Sequence, residues 1–225
     1  MARGNHDPAK FMVFGAASPL VIDLSFAHVW EAEVLPSRPL ILPARQFVYP
    51  AEVEEVERGA LEVLVRPAAG GGTVPADAGH PPEGIDTLPF LATCALGFSS
   101  PLAISGIWAC PDPEWMCVVA GGYAYLIDTV RPRWWEQVEY RPVTAIHPLP
   151  HLDLLLFAGF HTLLAWGRDG IAWRTGRLSW DGVRIASIQE KTLVGFGWDM
   201  TTDRELEFEV ELKTGEHRGG GYLQP

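Results

Sequence analysis

Only three cysteines, Cys94, Cys110 and Cys117, occur in 225 residues. The set is odd and small, which excludes a disulfide framework as the organising device and points to a reducing compartment. Basic runs are equally absent. Lys and Arg number 17 against 28 Asp and Glu, a formal net charge of −11. Such a chain is repelled by a nucleic-acid backbone and by an anionic membrane, so neither is an expected partner. No apolar run is long enough to cross a bilayer as a helix. Residues 152–165 come nearest, but Gly159 and His161 interrupt them. The first residues carry no apolar signal core followed by a small-residue cleavage site, so the expected location is the cytoplasm.

Catalytic signatures are missing too. There is no Gly-x-Ser-x-Gly elbow, phosphate-binding loop, dinucleotide fingerprint or His-Glu-x-x-His pair, and no cofactor is expected. Gly219, Gly220 and Gly221 follow a strand-like run but precede no helix, and they read as a flexible tail.

The chain does have ample apolar material, 48% of residues, and nine tryptophans. Its punctuation is that of short strands. Residues 11–14, 19–30, 46–49, 60–65, 90–96 and 104–110 read as strands separated by Gly and Pro. Pro36, Pro39 and Pro43 impose an extended arm over 35–42, because proline excludes both helix and central-strand pairing. Residues 51–58 admit a helical turn ending at Gly59. Residues 67–89, rich in Gly and Pro, bury too little to offset their ordering entropy and read as a mobile loop. The expected organisation is an N-terminal β segment (1–66), this flexible loop (67–89) and a repeated β region (90–225), together one structural domain.

Residues 116–128 and 154–166 share an apolar run, an Ala-Gly pair and a second apolar run. The pairs are Ala120-Gly121 and Ala158-Gly159, and Trp135 and Trp173 follow at the same spacing, 159 − 121 = 173 − 135 = 38. The first copy continues through strands at 134–140 and 143–147. The second continues through 161–166, 171–175 and 183–188, with Asp169-Gly170 and Asp181-Gly182 as tight-turn pairs. A degenerate third copy places Gly195-Phe196 36 residues after Gly159-Phe160. Residues 205–212 alternate strictly, which predicts an acidic wet face and an apolar buried one. The expected fold is all-β, built of repeated antiparallel meanders in a propeller-like stack, with a β-sandwich or two-sheet barrel as the alternative.

Candidate sites are few. Adjacent strand residues face opposite ways, so of Trp134 and Trp135 one points outward. Matching Trp135 to Trp173 leaves Trp134 exposed beside Arg131 and Arg133, a surface suited to a protein partner. Asp199, Asp203 and Glu205, with Asp181 in a nearby turn, are the candidate carboxylates of a hydrolase acting on a carbohydrate-like substrate; solvated turns give the same residues. His147, His151 and Asp153 fall within a metal-like spacing, but the intervening prolines exclude the helix that would converge them, and no metal site is assigned. Cys110 and Cys117 face across a hairpin as packed thiols. His161 reads as a core or edge strand residue. The function expected is a non-catalytic binding or scaffold module with a protein partner or self-association. The alternatives are the acidic-site hydrolase and a subunit of a larger assembly in which 35–43 or 67–89 wraps a neighbour.

Overall fold

The computed structural model describes residues 20–51, 58–68, 88–97 and 102–222. The strand expected at 11–14, the helical turn within 51–58 and most of the 67–89 loop lie outside the described residues. Among the described residues seventeen strands run in chain order. The first five are β1 (Val21–Asp23), β2 (Trp30–Leu35), β3 (Arg45–Tyr49), β4 (Ala60–Pro67) and β5 (Phe90–Ala95). Then come β6 (Gly106–Ala109), β7 (Trp115–Ala120), β8 (Tyr123–Asp128), β9 (Trp135–Gln137), β10 (Ala145–Leu149) and β11 (Leu154–Ala158). The last six are β12 (Leu163–Gly167), β13 (Gly170–Arg174), β14 (Val183–Ile188), β15 (Thr192–Asp199), β16 (Arg204–Glu211) and β17 (His217–Gly219). One short 3-10 turn, Pro150–Leu152, is the only helical element among the described residues.

The fold is all-β, four antiparallel-rich sheets that do not close into a barrel. Their orders are β2-β4-β5-β3, β1-β6-β7-β8-β9, β10-β11-β12-β13 and β14-β15-β16-β17. Two pairings are parallel, β1 with β6 and β3 with β5, because each recruits a strand from earlier in the chain across a long connection. The strands of the inner layers read as unbroken apolar runs. β5, β7, β8, β11 and β12 are buried at nearly every position, as strands covered on both faces must be. β16 alternates: Glu205, Glu207, Glu209 and Glu211 line one face, while Phe208, Val210 and, just beyond the strand, Leu212 are buried.

Each sheet boundary falls one strand earlier than the sequence pattern suggests. The expected fourth strands at 143–147 and 183–188 instead open the next sheet, as β10 and β14. The chain changes sheet between two consecutive residues, where Val143 N–H donates to Gly122 O (2.8 Å) and Thr144 N–H donates to Ala158 O (2.8 Å). The stretch Gly219 to Gly221, expected as a flexible tail, is tied down instead: Gly219 ends β17, which pairs with β16, and the N–H groups of Gly220 and Gly221 donate to Glu207 O (2.9 Å) and Leu178 O (2.7 Å).

The ladders β6–β7–β8 and β10–β11–β12 correspond at an offset of 39 rather than 38. Gly106 pairs with Val119 and Ala145 with Ala158; Val118 pairs with Tyr125 and Phe157 with Leu164. The differences 145 − 106, 158 − 119, 157 − 118 and 164 − 125 are all 39. On this ladder Ala120 corresponds to Gly159, so the two Ala-Gly pairs sit one rung apart. A one-residue slip sends a side chain to the other face, and the indoles show it. Trp135 packs on Tyr49 of the first sheet (ring centroids 5.6 Å apart), whereas the Trp173 Nε1–H donates to Leu212 O in the fourth (2.8 Å). The third hairpin departs further. Asp199 pairs with Arg204 as Ala158 pairs with Leu163, an offset of 199 − 158 = 41, and Gly195 and Phe196 lie inside β15.

Two apolar clusters follow from the layering. One joins the first and second sheets to the odd-numbered residues of β11, Leu155 and Phe157. The other joins Leu154, Leu156 and Ala158 to Leu193, Phe208 and Val210 of the fourth sheet. Each such Leu, Val or Phe side chain contributes about 1.5–3 kcal/mol on burial.

Candidate functional site

The β8–β9 connection is built on one buried carboxylate. Asp128, at the end of β8, is fully buried. Its Oδ1 accepts the backbone N–H groups of Val130 (2.9 Å) and Arg131 (2.7 Å), and its Oδ2 accepts the Arg131 Nε–H at 2.7 Å. Arg131 also reaches Glu114 at 3.5 Å. The guanidinium so fixed lies 4.4 Å from the centre of the Trp134 ring, a cation–π stack. Backbone bonds from Trp134 N–H to Arg131 O (2.7 Å) and from Asp128 N–H to Trp134 O (3.0 Å) close the turn. Trp134 is 58% exposed, while Trp135 packs into the core against Tyr49 and Tyr125. Arg133 is exposed and has no partner among the described residues. Trp134 therefore points outward as its sequence neighbourhood suggests, but it lies in the turn before β9 rather than in a strand.

The three candidate carboxylates sit close together around the β15–β16 hairpin, and each is engaged. Asp199 accepts the Thr201 N–H (3.0 Å) and the hydroxyls of Thr201 (2.8 Å) and Thr202 (2.6 Å). These bonds, the Thr202 hydroxyl first, hold its carboxyl below the ordinary carboxylate range. Asp203 adopts φ +52° and accepts the Trp198 indole N–H at 3.1 Å. Glu205 pairs with Arg184 through two bonds, 3.1 and 2.6 Å, and this hydrogen bonding likewise lowers its pKa. A general acid needs a raised pKa, and none of the shifts resolved at this hairpin goes that way. Asp181 lies beside Gly182 in the turn that leads into β14, which joins two sheets rather than closing a hairpin.

His147 stands in β10, where burial lowers its pKa, while His151 sits on the 3-10 turn with a ring nitrogen 3.0 Å from Glu190 O. Asp153 is the left-handed cap of that turn. Among the described residues no group of three metal-ligating side chains converges. His161 is not in a strand; it occupies the β11–β12 turn, with Nδ1 3.2 Å from Ser179 O. Cys94, Cys110 and Cys117 are buried free thiols with pKa values pushed up by desolvation, so none offers a thiolate nucleophile.

Sequence reasoning missed the outer face of the fourth sheet. Alternation along β15 puts Val194, Phe196 and Trp198 on the side away from the core, with Leu193, Gly195, Gly197 and Asp199 inward. The Arg184 guanidinium lies 4.5 Å from the Phe196 ring centre. With Asp181, Gly182, Val183, Trp198 and Glu205 it borders a shallow depression of about 380 Å³. The signal was available in the strict period of residues 193–199, masked by two glycines. Arg177 stacks in the same manner on Trp180 (4.6 Å) and Tyr222 (4.9 Å).

Among the described residues no helix is long and apolar enough to cross a membrane. No family model matches the chain, and no curated protein is significantly similar to it.

Proposed function

We propose that the chain is a non-catalytic β scaffold that binds a protein partner through the Trp134 turn, in a reducing, cytoplasmic setting. The observation that carries this reading is the Asp128–Arg131–Trp134 stack: a large aromatic is presented to solvent on a turn anchored by a buried carboxylate. Aromatic and arginine anchors held rigid before contact are what protein interfaces use, because little side-chain entropy is then lost on binding. The recurrence at 39 residues supports a propeller-like stack of meanders as the frame that presents it. The net charge of −11 favours a partner with a basic surface over nucleic acid. The engaged carboxylates at 199, 203 and 205 argue against the hydrolase.

The test is affinity capture with wild-type chain, Trp134→Ala and Arg133→Glu, with circular dichroism as the control for folding. Loss of a hot-spot aromatic costs roughly 2 kcal/mol or more, about 30-fold in affinity. Partners retained equally by all three proteins reject the reading. The triple variant Asp199→Asn, Asp203→Asn, Glu205→Gln, assayed on glycoside substrates beside the wild type, keeps the hydrolase reading open to proof.

A second reading, a subunit of a larger assembly, is favoured by one feature. Leu40 and Ile41, between Pro39 and Pro43, are almost completely exposed. Apolar residues held out on a proline-stiffened arm fit insertion into a neighbour. Sedimentation of the wild type and of Leu40→Asp/Ile41→Asp distinguishes it: a concentration-independent monomer in both removes its basis.

A further inference from the structure

The depression on the outer face of the fourth sheet has the chemistry of a receptor for a cationic side chain. Trp198 and Glu205 face each other across β15 and β16, and Gly182 stands beside Trp198 at the mouth of β14. Gly182 has φ +77°, and a Cβ there would meet nothing within 4 Å, so the floor beside Val183 is open space, while Trp198 itself is only partly buried. The Trp198 ring is held in place by its N–H bond to Asp203. Arg184 is taken up by Glu205 and by Phe196. The Asp181 carboxylate has no partner among the described residues. Two carboxylates, Asp181 and Glu205, line the groove against one arginine, Arg184, and Asp203 stands behind the indole.

A second feature says how a ligand would arrive. β14 pairs only with β15, and among the described residues its other edge has no ladder partner. A register shift between Ile185 and Ser187 interrupts the ladder, leaving residues 183–185 as the regular stretch of that edge. An extended segment added there would pair backbone to backbone and lay every second side chain over the outer face. A guanidinium suits the groove better than an ammonium, because it stacks on an indole and meets a carboxylate with two N–H groups.

We propose that this groove receives an arginine side chain carried on an extended segment of a partner protein that pairs with the open edge of β14. The site belongs to a different sheet from the Trp134 turn, so the two surfaces are separable.

The probe is a seven-residue alternating Thr/Val peptide with one central arginine, titrated into 15N-labelled chain. Companion peptides carry lysine or the neutral isostere citrulline. The arginine peptide is expected to shift the Trp198 indole resonance and the amides of 182–185. Citrulline at the centre should weaken binding by roughly tenfold, the loss of one charge-assisted contact. Asp181→Asn, a turn-compatible change, should weaken the arginine peptide by a similar factor and leave the citrulline peptide unaffected. Trp134→Ala should change nothing. The proposal is overturned by absence of shifts at millimolar peptide, by equal affinity for arginine and citrulline, or by shifts confined to other residues.

Discussion

Trp135 and Trp173 stand 38 residues apart and turn toward opposite neighbours. The first lies edge-on to Tyr49, 5.6 Å away across the first and second sheets; the second donates its indole N–H to Leu212 O at the fourth. Replacing each by Phe should therefore have unequal costs. Trp173→Phe strands the Leu212 carbonyl and should lose about 1–3 kcal/mol. Trp135→Phe loses packing alone, about 1 kcal/mol. Urea unfolding of the two variants measures the difference, and equal losses would show that the hydrogen bond contributes nothing.

The same pair shows what the sequence could and could not reveal. Alternation, turn residues and apolar runs located β4, β5, β7, β8, β11, β14 and β16 within a few residues, because burial on one or both faces writes directly into residue type. The register did not read correctly. Ala120-Gly121 and Ala158-Gly159 share letters and invite an offset of 38, but the ladder is governed by hydrogen bonding, which places Ala120 opposite Tyr123 and Ala158 opposite Leu163. Identical residues one rung apart face opposite sheets, and no count of apolar positions distinguishes them. The Trp134 site was legible because two adjacent indoles cannot both face one core. Its anchor was not, since nothing in the local sequence says that Asp128, six residues earlier, caps the turn.

Asp128 should dominate the stability of that turn. Asp128→Ala removes the acceptor of three hydrogen bonds and leaves the half-exposed Arg131 only the more distant Glu114, a cost of about 1–3 kcal/mol. Asp128→Asn keeps the amide acceptor and should cost less. Relaxation of the Trp134 indole 15N nucleus should report a mobile ring in the Ala variant. An ordered ring with unchanged melting temperature would mean that the turn is held by its backbone bonds alone.

Alkaline pH should destabilise the fold. Burial raises the pKa of Cys94, Cys110, Cys117, Tyr49 and Tyr140 in the folded chain. Above the unfolded values, about 8.5 for Cys and 10 for Tyr, the unfolded chain releases protons that the folded chain retains. Stability is therefore complete below about pH 8.5 and falls as pH rises, each group adding up to ~1.4 kcal/mol per pH unit. Denaturant midpoints at pH 7, 9 and 10.5 should decline in that order, and replacing the three cysteines by Ala should flatten the first part of the decline. A midpoint independent of pH across this range refutes the linkage.

The Tyr140 hydroxyl is buried with no hydrogen-bond partner among the described residues. Its removal frees the fold of an uncompensated desolvation, so Tyr140→Phe should be neutral or stabilising by about 1 kcal/mol. Thermal unfolding at pH 7 decides it. A loss of more than 1 kcal/mol would reveal an acceptor supplied by solvent.

The Tyr140 ring, as distinct from its hydroxyl, explains why the two matching glycines are glycine for different reasons. A Cβ on Gly159 would lie 2.6 Å from the Tyr140 ring, a steric exclusion in ordinary backbone. Gly121 has φ +55° and its tightest neighbour is the Gly97 backbone nitrogen at 3.2 Å, with no aromatic ring near, so there the backbone conformation and not Tyr140 disfavours a side chain. Both Gly→Ala substitutions should cost about 1–3 kcal/mol, but a double-mutant cycle with Tyr140→Ala separates them. Coupling of roughly 1 kcal/mol or more is expected for Gly159, because removing the ring makes room, and none for Gly121, whose strain is independent of its neighbours. Equal coupling in the two cycles would place Ala120-Gly121 and Ala158-Gly159 in the same environment after all, and would restore the 38-residue register that the strand pairing contradicts.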